Sequence, residues 1–372
     1  MSTPAAIEFV ASQFSLPGRL LSATPYGGGH INDSYLLEFQ VDSHSERFLL
    51  QRLNSAVFPN ALTVMENVAR VVEHIARKER ESDKNPAQIL QLIPANDRRP
   101  FFVDQDGSYW RIFTFIADSY SLDTAEKPLQ VYEASVAFGR FACLLSDLQG
   151  PRLQATIPGF HDTGQRYQQL SEAIGENRAR RLPDCQTEVE FAQSRSELAD
   201  KLSDGLLSGS LPEWITHNDS KLNNVLLANS THRGVCVVDL DTVMPGSILF
   251  DIGDLLRSAT MTAPEDCQDI GEVHMDRALF EAVIKGYIES LGHLLEPAEK
   301  SKLGVCGKVL SYETGIRFLA DYLNGDRYFK TAYPEHNLVR CRTQFALLRS
   351  MEDQTAYMDS FIAEQLAASA TA

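Results

Sequence analysis

The chain has 372 residues, an apolar fraction of 44% and a formal net charge of -16. That acidity disfavours a general nucleic-acid or anionic-membrane surface, because both draw on clustered Lys and Arg. The length is large for one core and predicts two lobes. The six cysteines, Cys143, Cys185, Cys236, Cys267, Cys306 and Cys341, include no C-x-x-C spacing, so neither a zinc site nor a redox dithiol is expected. The opening MSTPAAIEFVASQF has no basic region and no continuous apolar run, and no stretch approaches the length of a membrane span. A soluble, cytoplasmic protein with a small-molecule partner, and with no nucleic-acid or membrane partner, is the expectation.

In chain order, Ile7, Phe9, Val10 and Phe14 predict a short amphipathic helix. ATPYGGGHINDSYLLEF then reads as strand, glycine loop, strand. Gly27, Gly28 and Gly29 carry no side chains, so their backbone N–H groups can approach phosphate oxygens. FLLQRLN predicts a further strand, and LTVMENVARVVEHIARKE (62–79) has helical apolar spacing. Strand-like runs return over 88–117, with Asp106-Gly107 as a hairpin turn. The stripe of apolar positions in 128–148 predicts a buried helix. Residues 151–205 are polar and charge-rich and are read as helical insertions.

Next comes THNDSKLNNVLLANSTHRGVCVVDLDTVMPGSILFDIGD, residues 216–254. Val225–Ala228 and Val235–Leu240, separated by a polar turn, predict a β-hairpin with polar residues at both ends. Phosphoryl transfer needs a carboxylate to orient the attacking hydroxyl and oxygen ligands for the cation that holds the phosphates. Asp219 has the position for the first task, and Asn224 and Asp239 for the second, with Asp241 as a further metal-ligand candidate. Asp251, on the way into a helix, is expected to bind backbone N–H groups. Three helical patterns close the chain, near 276–295, 299–323 and 338–362, and the last few residues are expected to fray.

The spacing in HNDSKLNN followed by VVDLD resembles the aminoglycoside and choline kinase branch of the protein-kinase-like fold, whose loop reads H-x-D-x-x-x-x-N. Within that branch, GGGHIND, FLLQRLN, HNDSKLNN and VVDLDTVMPG are similar to the N-acetylhexosamine 1-kinases. The resemblance implies an α+β bilobal fold: a small antiparallel-sheet N-lobe, 1–117, and a larger, mainly helical C-lobe, 118–372. It implies ATP and Mg²⁺ as cofactors and phosphorylation of the anomeric hydroxyl of an N-acetylhexosamine. Asp219 would be the base, Lys221 would steady the γ-phosphate, and His217 would brace the loop. Gly27, Gly28, Gly29 and Arg52 would bind nucleotide, with Gln51 the alternative to Arg52 and Glu66 the helix partner of that cation. His30, Asn32, Arg317 and Tyr328 match sugar-contacting positions. Two other readings stay open: a kinase for another small acceptor of aminoglycoside, choline, homoserine or thioribose type, and a non-catalytic pseudokinase.

Overall fold

The structure, a computed structural model, describes residues 4–27, 32–82, 85 and 88–370. The chain divides into two compact units. Unit 1 takes Met1–Ser119, Leu144–Pro158 and Val238–Met244, and unit 2 takes Tyr120–Cys143, Gly159–Val237 and Pro245–Ala372.

Unit 1 begins with helix α1 (Pro4–Ala11) and strands β1 (Arg19–Pro25), β2 (Asp33–Val41) and β3 (His44–Arg52). Helix α2 (Ala61–Glu81) follows, then β4 (Leu92–Ile93), β5 (Phe102–Val103) and β6 (Tyr109–Thr114). The strands form an antiparallel sheet in the order β1-β2-β3-β6-β4, with β5 beside β6. Gly107, at φ +78°, makes the turn between β5 and β6, a conformation that Gly adopts without a Cβ penalty. Strand alternation sends Tyr35, Leu37, Phe39, Phe48, Leu50, Trp110 and Ile112 to one face, where Ile7, Val10 and Phe14 cover them. Helix α2 starts where Asn60 accepts the Thr63 N–H. Its buried stripe includes Val64, Met65, Val68, Val71 and Val72.

The two later segments of unit 1 are fastened to α2 by one buried side chain. Asn67 donates its amide to the carbonyls of Gln154 at 2.8 Å and Val243 at 3.1 Å. A buried amide left without these acceptors would be costly, so both segments belong to this unit rather than to a surface loop.

In unit 2 the elements are α3 (Pro128–Leu145, whose last turn enters unit 1), α4 (Thr163–Glu176), α5 (Gln186–Gln193), α6 (Ser203–Leu207), β8 (Trp214–Thr216), β9 (Val225–Ala228), β10 (Gly234–Val237), α7 (Ile248–Ala259), α8 (Arg277–Leu291), α9 (Pro297–Lys300), α10 (Leu303–Asn324), α11 (His336–Asp353) and α12 (Thr355–Ser369). Two short strands lie where the chain crosses between units, β7 (Ser119–Tyr120) and β11 (Met244–Gly246). Strands β9 and β10 pair antiparallel as the expected hairpin. Helix α10 is the hub and packs on α4, α7 and α11. It approaches α7 so closely that a Cβ on Gly253 would lie 2.6 Å from the Cys306 carbonyl oxygen.

The single helix expected over 338–362 is two helices. Gln354 breaks it at φ -101°, ψ 10°. Its side chain donates to Met275 O at 3.0 Å and accepts from Arg277 Nε at 2.7 Å, tertiary bonds that compete with helix continuation. All six cysteines are free thiols, and no helix among the described residues is long and apolar enough to cross a membrane.

The N-terminal sheet depends on its alternating face. Leu50→Ala, at a fully buried position, is expected to lower unfolding free energy by about 2–5 kcal/mol, measured by urea denaturation. A loss below about 1 kcal/mol would mean that this face is not the core.

Candidate active site

The loop between β8 and β9 turns because Asn218 adopts φ +62°, a left-handed conformation that Asn tolerates better than most residues. Both sides of that residue are fastened. The buried Asp251 of α7 accepts the N–H groups of His217 at 2.8 Å and Asn218 at 2.7 Å. The buried His161 holds the Asn218 carbonyl at 2.8 Å from Nε2. His217 itself is fully buried and packs edge-on against Phe138 and Phe141. These contacts leave Asp219 at the tip of a rigid turn.

The Asp219 side chain is 20% exposed and has two partners. Lys221 Nζ lies 2.7 Å from one carboxylate oxygen, and Asn224 Nδ2 donates to the other at 3.1 Å. Burial works against the negative charge. Lys221, by charge and hydrogen bond, then His217 and Arg257, outweigh it and hold the Asp219 pKa down at about 2. Asn224 also donates to the Asp219 carbonyl at 2.8 Å. With its NH₂ end committed to Asp219, its amide oxygen is the end left to meet a hard cation, which fits an oxygen-ligand site. A second buried pair stands nearby: Arg257 donates to Asp254 at 2.8 Å and to Glu265 at 3.2 Å.

His161 has a state that its partners dictate. Nδ1 lies 2.8 Å from Glu313, whose other oxygen receives the Thr163 hydroxyl at 2.6 Å. Nε2 faces the Asn218 carbonyl, which can only accept. The ring therefore donates from both nitrogens and is an imidazolium. Burial alone would push its pKa down, but the Glu313 charge and hydrogen bond raise it above the ordinary value.

Arg317, one turn from Glu313 on α10, is largely buried and lies 4.0 Å from it. Its guanidinium sits 5.3 Å from the Phe160 ring, 5.7 Å from Phe329 and 6.0 Å from Tyr328. Arg166 adds a second guanidinium, hydrogen-bonded to the Gly159 and Phe160 carbonyls at 3.1 and 3.2 Å. Burial, then repulsion from Arg317, lowers its pKa. Phe160 is next in sequence to His161, so this cluster adjoins the Asp219 loop.

In unit 1, Arg52 shares a sheet face with Leu50 and Trp110, lies over the Trp110 ring and pairs with Asp33. Glu66 is exposed on α2 and is not its partner. The inward cation is Arg111, which is fully buried and opposite Gln51 in register. Arg111 binds Asp241 and donates to Gln51 Oε1 at 2.8 and 3.1 Å. Asn32 donates to the other Asp241 oxygen at 2.6 Å. Asp239 has φ +60° and starts the short turn Leu240–Thr242. Gly27 has φ +75°. Gly28, Gly29 and His30 lie outside the described residues. No group of three or more His, Cys, Asp or Glu with metal-site geometry occurs among the described residues.

The sequence missed Arg111, His161, Arg166 and Arg257. None sits in a motif. The alternation of β6 carried a weak signal for Arg111, as a charge inside the apolar run YWRIFTFI.

A family model described as the phosphotransferase enzyme family matches residues 22–289. Among solved structures, an aminoglycoside phosphotransferase from Alicyclobacillus acidocaldarius is similar at a TM-score of 0.57 and 14% identity, over 96% of this chain and 97% of that one. A spectinomycin phosphotransferase in complex with ADP and spectinomycin is similar at 0.56 and 12%, over 96% and 99%. A choline kinase from Cryptosporidium parvum is similar at 0.54 and 14%, over 93% of each chain. The architecture is the α+β kinase-like fold, as the sequence predicts.

His161→Asn should destabilise the protein by roughly 1–3 kcal/mol, because Glu313 loses its hydrogen-bonded cation and keeps only the Arg317 guanidinium at 4.0 Å. The raised His161 pKa fixes the sign of the pH dependence. Its contribution is full below the unfolded value of about 6.5 and fades as pH rises through the folded value. Urea midpoints should therefore differ more between wild type and variant at low pH than at high pH, and a constant gap would refute the imidazolium.

Proposed function

The chain belongs to the phosphotransferase enzyme family, and from that premise we propose that it transfers the γ-phosphoryl group of ATP to the anomeric hydroxyl of an N-acetylhexosamine. The observation that carries the acceptor class is the cluster of Arg317 and Arg166 with Phe160, Tyr328 and Phe329 beside the Asp219 loop. Two guanidinium groups and the His161 imidazolium lie here, and the carboxylates around them are engaged: Glu313 by His161 and Thr163, and Asp321 by the Tyr328 and Phe329 N–H groups. A polycationic aminoglycoside or a choline would be repelled there, since cation sites need carboxylates or unoccupied aromatic faces. A neutral sugar meets hydrogen-bond donors for its hydroxyls and acetamido carbonyl, and aromatic faces for its apolar edges.

In this reading the sugar O1 attacks the γ-phosphorus, the bond from that phosphorus to the β–γ bridging oxygen breaks, and ADP leaves. Asp219 accepts a hydrogen bond from the 1-hydroxyl and takes its proton as the transfer proceeds. Lys221 steadies the γ-phosphate; Asn224 would offer its amide oxygen, and Asp239 its carboxylate, as Mg²⁺ ligands, and the cation would neutralise phosphate charge when bound. Arg317 and Tyr328 are the sugar contacts, and Gly27 belongs to the nucleotide-binding glycine segment. The ADP bound in the spectinomycin phosphotransferase structure supports adenine nucleotide as donor.

Coupled ADP-release assays test the acceptor. N-acetylglucosamine or N-acetylgalactosamine should sustain ADP formation, whereas spectinomycin, kanamycin and choline should not; turnover confined to the amines would overturn the assignment. Asp219→Asn should cut kcat by roughly 10²–10⁴ with little change in sugar KM, and retention of most of kcat would remove the base role.

The low Asp219 pKa also predicts a pH profile. The carboxylate is ionised from mildly acid pH upward, so it contributes no acid limb to kcat/KM near neutrality. Lys221→Met removes the partner that depresses it and should move an acid limb to higher pH. Superimposable limbs in the two proteins would show that Lys221 does not control Asp219.

A further inference from the structure

We propose that Arg111, Asp241 and Asn32 form a positioning cluster that sets the Asp239 turn, so that Asp241 is not a metal ligand and Asn32 is not a sugar contact. The kinetic half of this inference rests on the phosphotransferase reading above; its structural half does not.

Asp241 is buried, with one carboxylate oxygen on the Arg111 guanidinium and the other receiving Asn32 Nδ2 at 2.6 Å. A cation would have to displace a fully buried guanidinium that has no water to retreat into. Asn32 is committed at both ends of its amide, since its oxygen accepts the Asn54 N–H at 3.1 Å. Arg111 is fixed from a further side by the fork onto Gln51 Oε1, and the Gln51 amide in turn donates to Ser34 Oγ at 3.1 Å. The Arg111 guanidinium also lies 4.9 Å from the Phe113 ring. Residues remote in sequence, on β2, β3, β6 and the Val238–Met244 segment, thus meet at one buried ion pair inside unit 1.

The consequence falls on Asp239. It lies two residues before Asp241 and holds φ +60°, a strained value for Asp. Asn67, on the Val243 carbonyl, fastens the segment two residues after Asp241. The short turn Leu240–Thr242 is therefore gripped within and just beyond its length, and the direction of the Asp239 carboxylate follows from the grip.

Arg111→Met would strand a buried carboxylate and confound the result by unfolding, so the test is an exchange. Asp241→Asn places an NH₂ group against the Asn32 NH₂ group and should break that contact. Adding Asn32→Asp restores it with donor and acceptor reversed, and the amide oxygen introduced at position 241 can still accept from Arg111. Asp241→Asn is expected to lower the melting temperature and to reduce kcat about 10²-fold, the scale of a small misplacement of catalytic groups. The Mg²⁺ concentration for half-maximal rate should stay unchanged. The exchanged pair should recover at least about tenfold of kcat and most of the melting temperature. A raised Mg²⁺ requirement in Asp241→Asn, with no recovery in the exchanged pair, would overturn the proposal and make Asp241 a ligand. If no acceptor is turned over at all, the melting temperatures decide alone: recovery in the exchanged pair supports the cluster, and failure to recover refutes it.

Discussion

The candidate active-site loop hangs on one peptide, that of Asn218, held in a left-handed turn. Such a conformation costs on the order of 1–3 kcal/mol for most residues and less for Asn. It persists because a buried carboxylate takes its N–H and a buried imidazolium takes its C=O. Without either, the chain could relax toward an ordinary turn, and Asp219 would point elsewhere. The fold supplies these two partners from elements far apart in sequence, α7 and the approach to α4. The helical body of unit 2 can thus be seen as the frame for a single strained residue.

Unit 1 repeats the solution. Asp239 is also left-handed, and its neighbours are also tied by buried polar groups, Arg111 and Asn67. In both places the left-handed residue is beside or at a candidate site carboxylate, and the restraint is charged or amide rather than apolar. Directional bonds set an angle, which apolar packing does only loosely. The arginines beside Phe160 follow a different logic. Arg166 and Arg317 repel each other, and burial together with that repulsion lowers the Arg166 pKa.

What was legible in the sequence was local. The H-x-D-x-x-x-x-N spacing, the β9–β10 hairpin and the long amphipathic α2 each depend on neighbours within about ten residues, and periodicity reports such neighbours. Strand alternation alone separates Gln51 and Arg52 onto opposite faces. Which face each takes needs the register with β6, which puts Gln51 opposite Arg111 and Arg52 opposite Trp110. Arg111 and His161 were silent because their partners are 130 and 152 residues away. The break at Gln354 escaped for the same reason, since its cause is the Met275 carbonyl.

The three-segment make-up of unit 1 bears on how the protein is made. Arg111 emerges from the ribosome 130 residues before Asp241. At about 5–20 residues per second that is a delay of roughly 6–26 s, during which the N-terminal sheet must carry an unneutralised interior guanidinium. The N-terminal sheet therefore gains the carboxylate for its interior guanidinium, and the last of its three segments, only once the chain through Met244 has been translated.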